Sequence, residues 1–244
     1  MNGISSLLQN TGHRPWPIPE GEWSYYQEWN NVLFLHWKVP YEELIKLVPE
    51  DIPLDIFESN CWVSLVAFTM QKIRTRKLPS FYPISNFHEI NVRTYVKHDN
   101  KAGVYFLSIE AEKVASSFIA RLLSGLPYEK ANISRIQTKN TQQYSSVNKQ
   151  KGFKLDAKYL VAETLVAKSA LDKWLTERYC LYQEHGLNTY RFDIHHNPWP
   201  LNSVKVSDLN TCYKIGNISL TRKPDLMHYS TGVKVVSWNR KLLK

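Results

Sequence analysis

Residues 175–201 read LTERYCLYQEHGLNTYRFDIHHNPWPL, and this span restricts the fold more than any other part of the chain. Tyr179, Cys180, Leu181 and Tyr182 suit a pleated, half-buried strand. His185 and Gly186 make a turn, and a second strand returns through Tyr190, Phe192 and Ile194. The strand ends at Asn197-Pro198-Trp199-Pro200, where two prolines fix the backbone and the indole closes one end of the structure. A hairpin so crowded with aromatic and ionisable side chains is predicted to be buried. Alternation puts Tyr190, Phe192, Ile194 and His196 on its inner face, and Arg191, Asp193 and His195 on the other.

The remaining pattern supplies strands to pack with it. Residues 29–39 (WNNVLFLHWKV) and 61–73 are apolar, β-prone runs, with 32–39 and 63–68 as core strands. Pro40 opens a short helix on which Leu44, Leu47 and Val48 share a face. Residues 87–98 alternate, with Glu89, Asn91, Arg93, Tyr95 and Lys97 on one face. In residues 103–112, Ser108 and Glu110 are read as sharing a face with Val104 and Phe106. A helix is predicted up to Ser124, carrying Val114, Phe118 and Leu122, with Gly125 as its stop. Further strands are read at 133–139, 142–148 and 159–167. Ser169 and Asp172 form a capping box for a helix carrying Leu171, Trp174 and Leu175. Many strands, three short helices and no regular βαβ alternation predict an α+β protein on a mostly antiparallel sheet closed into a β-barrel. One domain over residues 1–244 is expected, with residues 1–22 as an N-terminal arm.

Composition narrows the function. At 43% hydrophobic and 13% aromatic the chain has ample core material, so disorder is excluded. No apolar run approaches the ~20 residues that cross a bilayer, and the N-terminus lacks a signal-peptide pattern. Cys61, Cys180 and Cys212 are odd in number and widely spaced, which points to reduced thiols in a cytoplasmic protein and to no metal site. The net charge of +9 is scattered along the chain. Without a helix-turn-helix or RNP-type motif it is read as a solvated surface, with no specific nucleic-acid or membrane partner. No cofactor motif is present, and oligomeric state is not legible.

TERYCLY, IHHNPWPL, NVRTYV and GLPY together resemble the YqjF-like family, bacterial proteins grouped as a domain of unknown function. The resemblance runs from about Trp23 past the histidine pair and implies no established reaction. VLFLHWKVPYEELIKLVPEDIPLDIF, and more faintly NVRTYVKHDNKAGVYFLSIEAE, also resemble acetoacetate decarboxylase. That resemblance implies a cone-shaped barrel of the decarboxylase-like superfamily around a ligand cavity. The family's Schiff-base lysine lies in a Tyr-Pro-Lys-Lys motif. Here Val114-Ala115-Ser116 stands near that place and no adjacent lysines occur anywhere. Lys113, flanked by Glu110 and Glu112, is held protonated, so Schiff-base chemistry is not expected.

Candidate site residues follow from the strand faces. Arg93 is the candidate anion clamp, because a guanidinium grips a carboxylate in bidentate fashion. The plainer reading is an ion pair with Glu89, Glu110 or Glu177. Glu110 and His196 are candidate acid–base groups, against structural roles: Glu110 and Glu177 neutralising Arg93 and Arg178, and His196 as a hydrogen-bonded core imidazole. Tyr95, Ser108, Tyr128, Tyr144, Glu177 and Tyr179 complete a candidate lining that is apolar in body with hydroxyls at its rim. Two functions remain open: an enzyme acting on a small organic acid or carbonyl compound without a Schiff-base lysine, or a non-catalytic small-molecule binder on the same fold.

Overall fold

A computed structural model describes residues 3–112, 126, 128–138 and 141–243. Its strands are β1 (Tyr25–Val39), β2 (Cys61–Thr75), β3 (Phe87–His98), β4 (Lys101–Ala111), β5 (Tyr128–Lys130), β6 (Asn132–Gln137), β7 (Gln142–Asn148) and β8 (Phe153–Thr164). They continue with β9 (Cys180–His185), β10 (Asn188–His196), β11 (Leu201–Cys212), β12 (Lys214–Ile215), β13 (Ile218–Ser219), β14 (Leu226–Ser237) and β15 (Lys241–Leu242). The described helices are short: α1 (Gly3–Gln9), α2 (Tyr41–Leu44), α3 (Tyr82–Ser85) and α4 (Ala170–Thr176). The fold is mostly strand with few short helices.

Hydrogen bonding runs in the order β15-β10-β9-β4-β3-β2-β1-β14-β11-β8-β7-β6, and β10 pairs a second time, with β14. That second pairing links β10, β9, β4, β3, β2, β1 and β14 into a closed circuit. Within this sheet β4 pairs in parallel with β5 and β9, and the other pairs are antiparallel. On one face of the circuit lie Val32 and Phe34 of β1 with Val66 and Phe68 of β2. On the other, Leu33, Leu35, Val63, Leu65, Ile90 and Val92 pack against Tyr144, Leu155 and Tyr159. Strands β7 and β8 therefore cover the back of β1–β3. Burial on both faces explains why β1 and β2 read as nearly unbroken apolar runs.

One irregularity decides where the site forms. Val92 pairs with Ser108, but Arg93 pairs with Phe106, so Leu107 is an extra residue in β4. A bulge of this kind reverses the in–out alternation beyond it. Val104 and Phe106 share the face of Arg93, while Ser108 and Glu110 go to the opposite face with Val92 and Ile90. The expectation that all four share one face is corrected here. Strand β8 begins at Phe153, earlier than its pattern was read, because Phe153, Leu155, Ala157 and Tyr159 alternate inward. The helix expected up to Ser124, with Lys113, Val114, Phe118, Leu122 and Gly125, lies outside the described residues, as does Lys139.

The hairpin turns at Gly186, whose φ is +64°, and α4 opens on the Ser169–Asp172 capping box. The N-terminal segment docks on β10. Leu7 O lies 2.8 Å from His195 Nε2, and Arg14 Nη1 donates to Ile194 O over 2.8 Å. The Arg14 guanidinium also lies 4.6 Å from the Tyr179 ring centroid.

Candidate functional site

A pocket of about 110 Å³ lies on the Phe34 face of the circuit, and each of the circuit's seven strands contributes at least one lining residue. A cavity of about 150 Å³ accommodates benzene, so this one suits a molecule of a few heavy atoms. Its apolar wall includes Phe34, Phe68, Phe106 and Trp199. Its polar wall is a row on β3, Glu89, Asn91 and Arg93, joined by Arg178, Tyr128 and Thr176.

The polar wall is rich in donors without partners. Trp29 Nε1, Arg93 Nε and Arg178 Nη2 are buried with no hydrogen-bond acceptor, and Asn91 Oδ1 is buried with no donor, among the described residues. Buried polar groups are normally satisfied, so three donors and one acceptor on one pocket's residues describe a site for an acceptor-rich ligand. Arg93 is the extreme case. Its Nη2 donates to Leu175 O over 3.3 Å, and its guanidinium lies 5.8 Å from the Phe34 centroid. No carboxylate among the described residues lies within ion-pairing distance of it, and the side chains outside them include no aspartate or glutamate. Burial lowers its pKa, with the neighbouring Tyr95 opposing. Arg178 is paired with Asp55 and donates through Nε to Trp174 O over 2.6 Å. Of the two buried guanidiniums, Arg178 alone has a carboxylate partner, Asp55, and Arg93 has none among the described residues.

Glu89 is the acid of this wall. Burial pushes its carboxyl up to about 7, against hydrogen bonds from Tyr128 and Asn91. The Tyr128 hydroxyl donates to Glu89 Oε2 over 2.9 Å.

The other sequence-derived candidates divide. Arg93, Tyr128 and His196 line the pocket. Tyr95 stands behind Arg93, its hydroxyl 3.1 Å from Leu175 O. His196 turns its nitrogens to the backbone, with Nδ1 2.7 Å from Asn197 O and Nε2 3.3 Å from Arg178 O. Its ring packs on Tyr179 and Trp199. Tyr179 donates to Glu177 Oε2 over 2.8 Å, and Glu177 pairs with Lys168 rather than with either pocket arginine. Glu110 and Ser108 are carried to the far face by the Leu107 bulge, so neither meets Arg93. Glu110 instead accepts from Tyr213 over 2.6 Å, and burial raises its pKa. Tyr144 is also on that face, donating to Glu89 O over 3.0 Å.

Sequence reasoning missed Trp29 and Arg178 as donors and Asn91 as an acceptor, and undervalued Glu89. For Glu89 and Asn91 the signal was present, since both fall on the alternating face that carries Arg93. Arg178 lies at a helix–strand junction, where no periodicity applies. Among the described residues no three His, Cys, Asp or Glu side chains converge as a metal site, and no helix is long and apolar enough to cross a membrane.

The architecture is that of the acetoacetate decarboxylase-like proteins. An acetoacetate decarboxylase from Legionella pneumophila superposes with a TM-score of 0.64 at 12% identity, covering 95% of this chain and 93% of that one. The enduracididine biosynthesis enzyme MppR complexed with pyruvate superposes with a TM-score of 0.62 at 9% identity, covering 96% and 95%. Within that fold the sequence is more specific. The chain belongs to the DUF2071 family, described as an uncharacterised conserved protein, whose model matches residues 26–234. It is 35% identical over 227 residues to the uncharacterised protein YqjF of Bacillus subtilis, covering 91% of this chain and 93% of that protein.

Proposed function

We propose that the closed circuit of strands is a barrel, and that its cavity binds a small carboxylic acid bearing a carbonyl group. The observation that carries this reading is Arg93, a buried guanidinium on the pocket wall with no carboxylate partner. An isolated buried charge is untenable without a counter-charge, and a bound carboxylate supplies it. Arg178 Nη2 and Trp29 Nε1 add donors for the remaining oxygens. The narrow space selects acids of about three to five carbons. Three free thiols support a cytoplasmic location.

Glu89 gives the cavity acid–base capacity, because a carboxyl poised near 7 exists in both forms at neutral pH. The corresponding reaction is enolisation. The Glu89 carboxylate takes a proton from the carbon next to the carbonyl, the C–H electron pair forms the enol double bond, and the oxygen's developing charge faces the arginines. None of the pocket-lining residues described is a lysine, and the reading uses no Schiff base.

Calorimetric titration with pyruvate, acetate and acetone tests the binding. The two carboxylates are expected to bind and acetone is not. Arg93→Leu should weaken pyruvate binding roughly ten- to hundredfold, the worth of a hydrogen bond to a charged group. Equal binding of acetone, or undiminished binding by Arg93→Leu, overturns the proposal. Exchange of pyruvate methyl protons in D₂O separates enzyme from binder. Exchange that Glu89→Gln abolishes while retaining affinity supports enolisation, and binding without exchange leaves the non-catalytic reading. Borohydride with acetoacetate should leave the protein mass unchanged, whereas an adduct at any lysine removes the lysine-free mechanism.

A further inference from the structure

Beyond the pocket, on the face of the circuit that carries Arg93, a row of buried polar groups crosses four adjacent strands. Asp172 Oδ1 on α4 is 2.8 Å from His228 Nε2 on β14. His228 Nδ1 is 3.2 Å from His36 Nε2 on β1. His36 Nδ1 is 2.6 Å from Ser64 Oγ on β2, and Ser64 Oγ is 2.6 Å from the Tyr95 hydroxyl on β3. Tyr95 and Arg93 both reach Leu175 O, and the Arg93 guanidinium lies 6.0 Å from the Tyr95 ring centroid. His36, Ser64, Tyr95 and His228 are at most 1% exposed. His36, Ser64 and His228 were not singled out by the sequence, and Asp172 was read there only as a helix cap.

We propose that Asp172, His228, His36, Ser64 and Tyr95 form one directional hydrogen-bonded relay that positions Arg93 and couples it to the protonation of His228. Counting protons along the chain gives two consistent arrangements. In the first, both histidines are neutral. Asp172 is an acceptor, so His228 carries its proton on Nε2 and accepts at Nδ1. His36 must then carry its proton on Nε2 and accept at Nδ1 from Ser64, and Ser64 accepts from Tyr95. The Tyr95 proton is then given to Ser64 and Leu175 O is left to Arg93 Nη2 alone, so four hydrogen-bonded groups lead from beside the buried cation to a carboxylate. In the second arrangement His228 holds one more proton and donates from both nitrogens. Every downstream bond reverses. His36, still neutral, accepts at Nε2 and donates from Nδ1, Ser64 donates to Tyr95, and Tyr95 donates to Leu175 O.

Burial favours the first arrangement at neutral pH by disfavouring the imidazolium at both rings. His228 faces Asp172, which opposes that shift, with His36 alongside and Lys168 adding to it. His36 faces His228 and feels Arg93, both of which also disfavour its charge. The added proton therefore belongs on His228. The proposal takes from the functional reading only the use to which Arg93 is put.

The test is imidazole and guanidinium ¹⁵N NMR of the full chain without ligand. At neutral pH His36 and His228 should both be neutral with the proton on Nε2. On acidification His228 should become doubly protonated, and with the same midpoint His36 should change tautomer to Nδ1–H while staying neutral. The Arg93 side-chain resonances should shift at that midpoint, and lose the shift in Ser64→Ala or, if that variant does not fold, in Tyr95→Phe. A His36 proton on Nδ1 at neutral pH overturns the relay. So does protonation of His228 without a tautomer change at His36, or an Arg93 shift that survives the broken link. Pyruvate enters none of these measurements, so failure of the ligand reading and failure of the relay are told apart.

Discussion

Glu89 and Arg93 lie four residues apart on one face of β3, and the same burial acts on them in opposite senses. Desolvation raises the acid's pKa and lowers the base's. Because the folded pKa of Glu89 is raised, its contribution to stability is fully present below the unfolded value near 4.5. It is lost as pH rises through about 7. Glu89→Gln should therefore flatten the fall in stability between those pH values, by on the order of a few kcal/mol. Urea denaturation at a series of pH values measures this, and a pH profile identical to that of the parent protein rules the assignment out. Arg93→Leu should show the signature of a functional residue. Replacing a buried ion pair by apolar side chains is often neutral or stabilising by about 1–4 kcal/mol, and a buried guanidinium with no carboxylate partner has less Coulombic attraction to lose. The variant is expected to melt at the same temperature or higher while losing carboxylate binding. A melting temperature several degrees lower would make Arg93 a structural group.

At the scale of elements, one residue in β4 conceals from the sequence which side chains share the face of Arg93. Strands β1, β2, β3, β7 and the β9–β10 hairpin were legible because alternation and long apolar runs have a direct cause in burial. The α4 capping box was legible for the same kind of local reason. The Leu107 bulge has no such signature in Val104-Tyr105-Phe106-Leu107-Ser108, yet it moves Ser108 and Glu110 to the far face. Uninterrupted alternation put Glu110 on the face of Arg93, which kept an ion pair open beside the anion clamp, whereas in the structure Glu110 is on the far face and Arg93 has no carboxylate partner among the described residues. His36 was hidden differently. It follows Val32 and Phe34 on one face, and a single polar residue in an apolar row looks incidental until β2, β3 and β14 are placed beside it. The parallel β4–β9 junction is likewise invisible locally, since its strands are far apart in sequence. It depends on Gly103, where an added Cβ would lie 2.6 Å from Cys180 O and 2.7 Å from the Tyr182 ring. Backbone cannot yield as a side-chain tip can, so Gly103→Ala should destabilise by about 1–3 kcal/mol. An unchanged denaturation midpoint would show that β9 is not held at that distance.

Across the whole molecule, the circuit and its β11-β8-β7-β6 extension contribute to a common buried cluster. Leu33, Leu35, Val63, Leu65 and Val92 of the circuit belong to the same buried cluster as Tyr144, Leu155, Tyr159 and Tyr213 of the outer layer. Hydrogen bonds cross the same boundary, with Tyr144 donating to Phe68 O and Glu89 O and Arg135 donating to Asn31 O over 3.0 Å. Stripping the outer layer would expose the apolar back of β1–β3 and leave Glu110 without Tyr213, so neither layer retains its packing alone. The expected consequence is a single cooperative transition over one domain, with tryptophan fluorescence and far-ultraviolet circular dichroism giving coincident denaturation curves. Trp29, Trp37, Trp62 and Trp199 report on the circuit, whereas the backbone signal also covers the outer strands. Two transitions, with the fluorescence change displaced from the dichroism change, would show separable units. The N-terminal arm tests the same coupling from the other side. Leu7, His13 and Arg14 satisfy His195 Nε2 and the carbonyls of His196 and Ile194. Removing residues 1–22 should therefore lower the single midpoint without splitting it, because these three bonds fall on β10, the strand whose pairing with β14 closes the circuit.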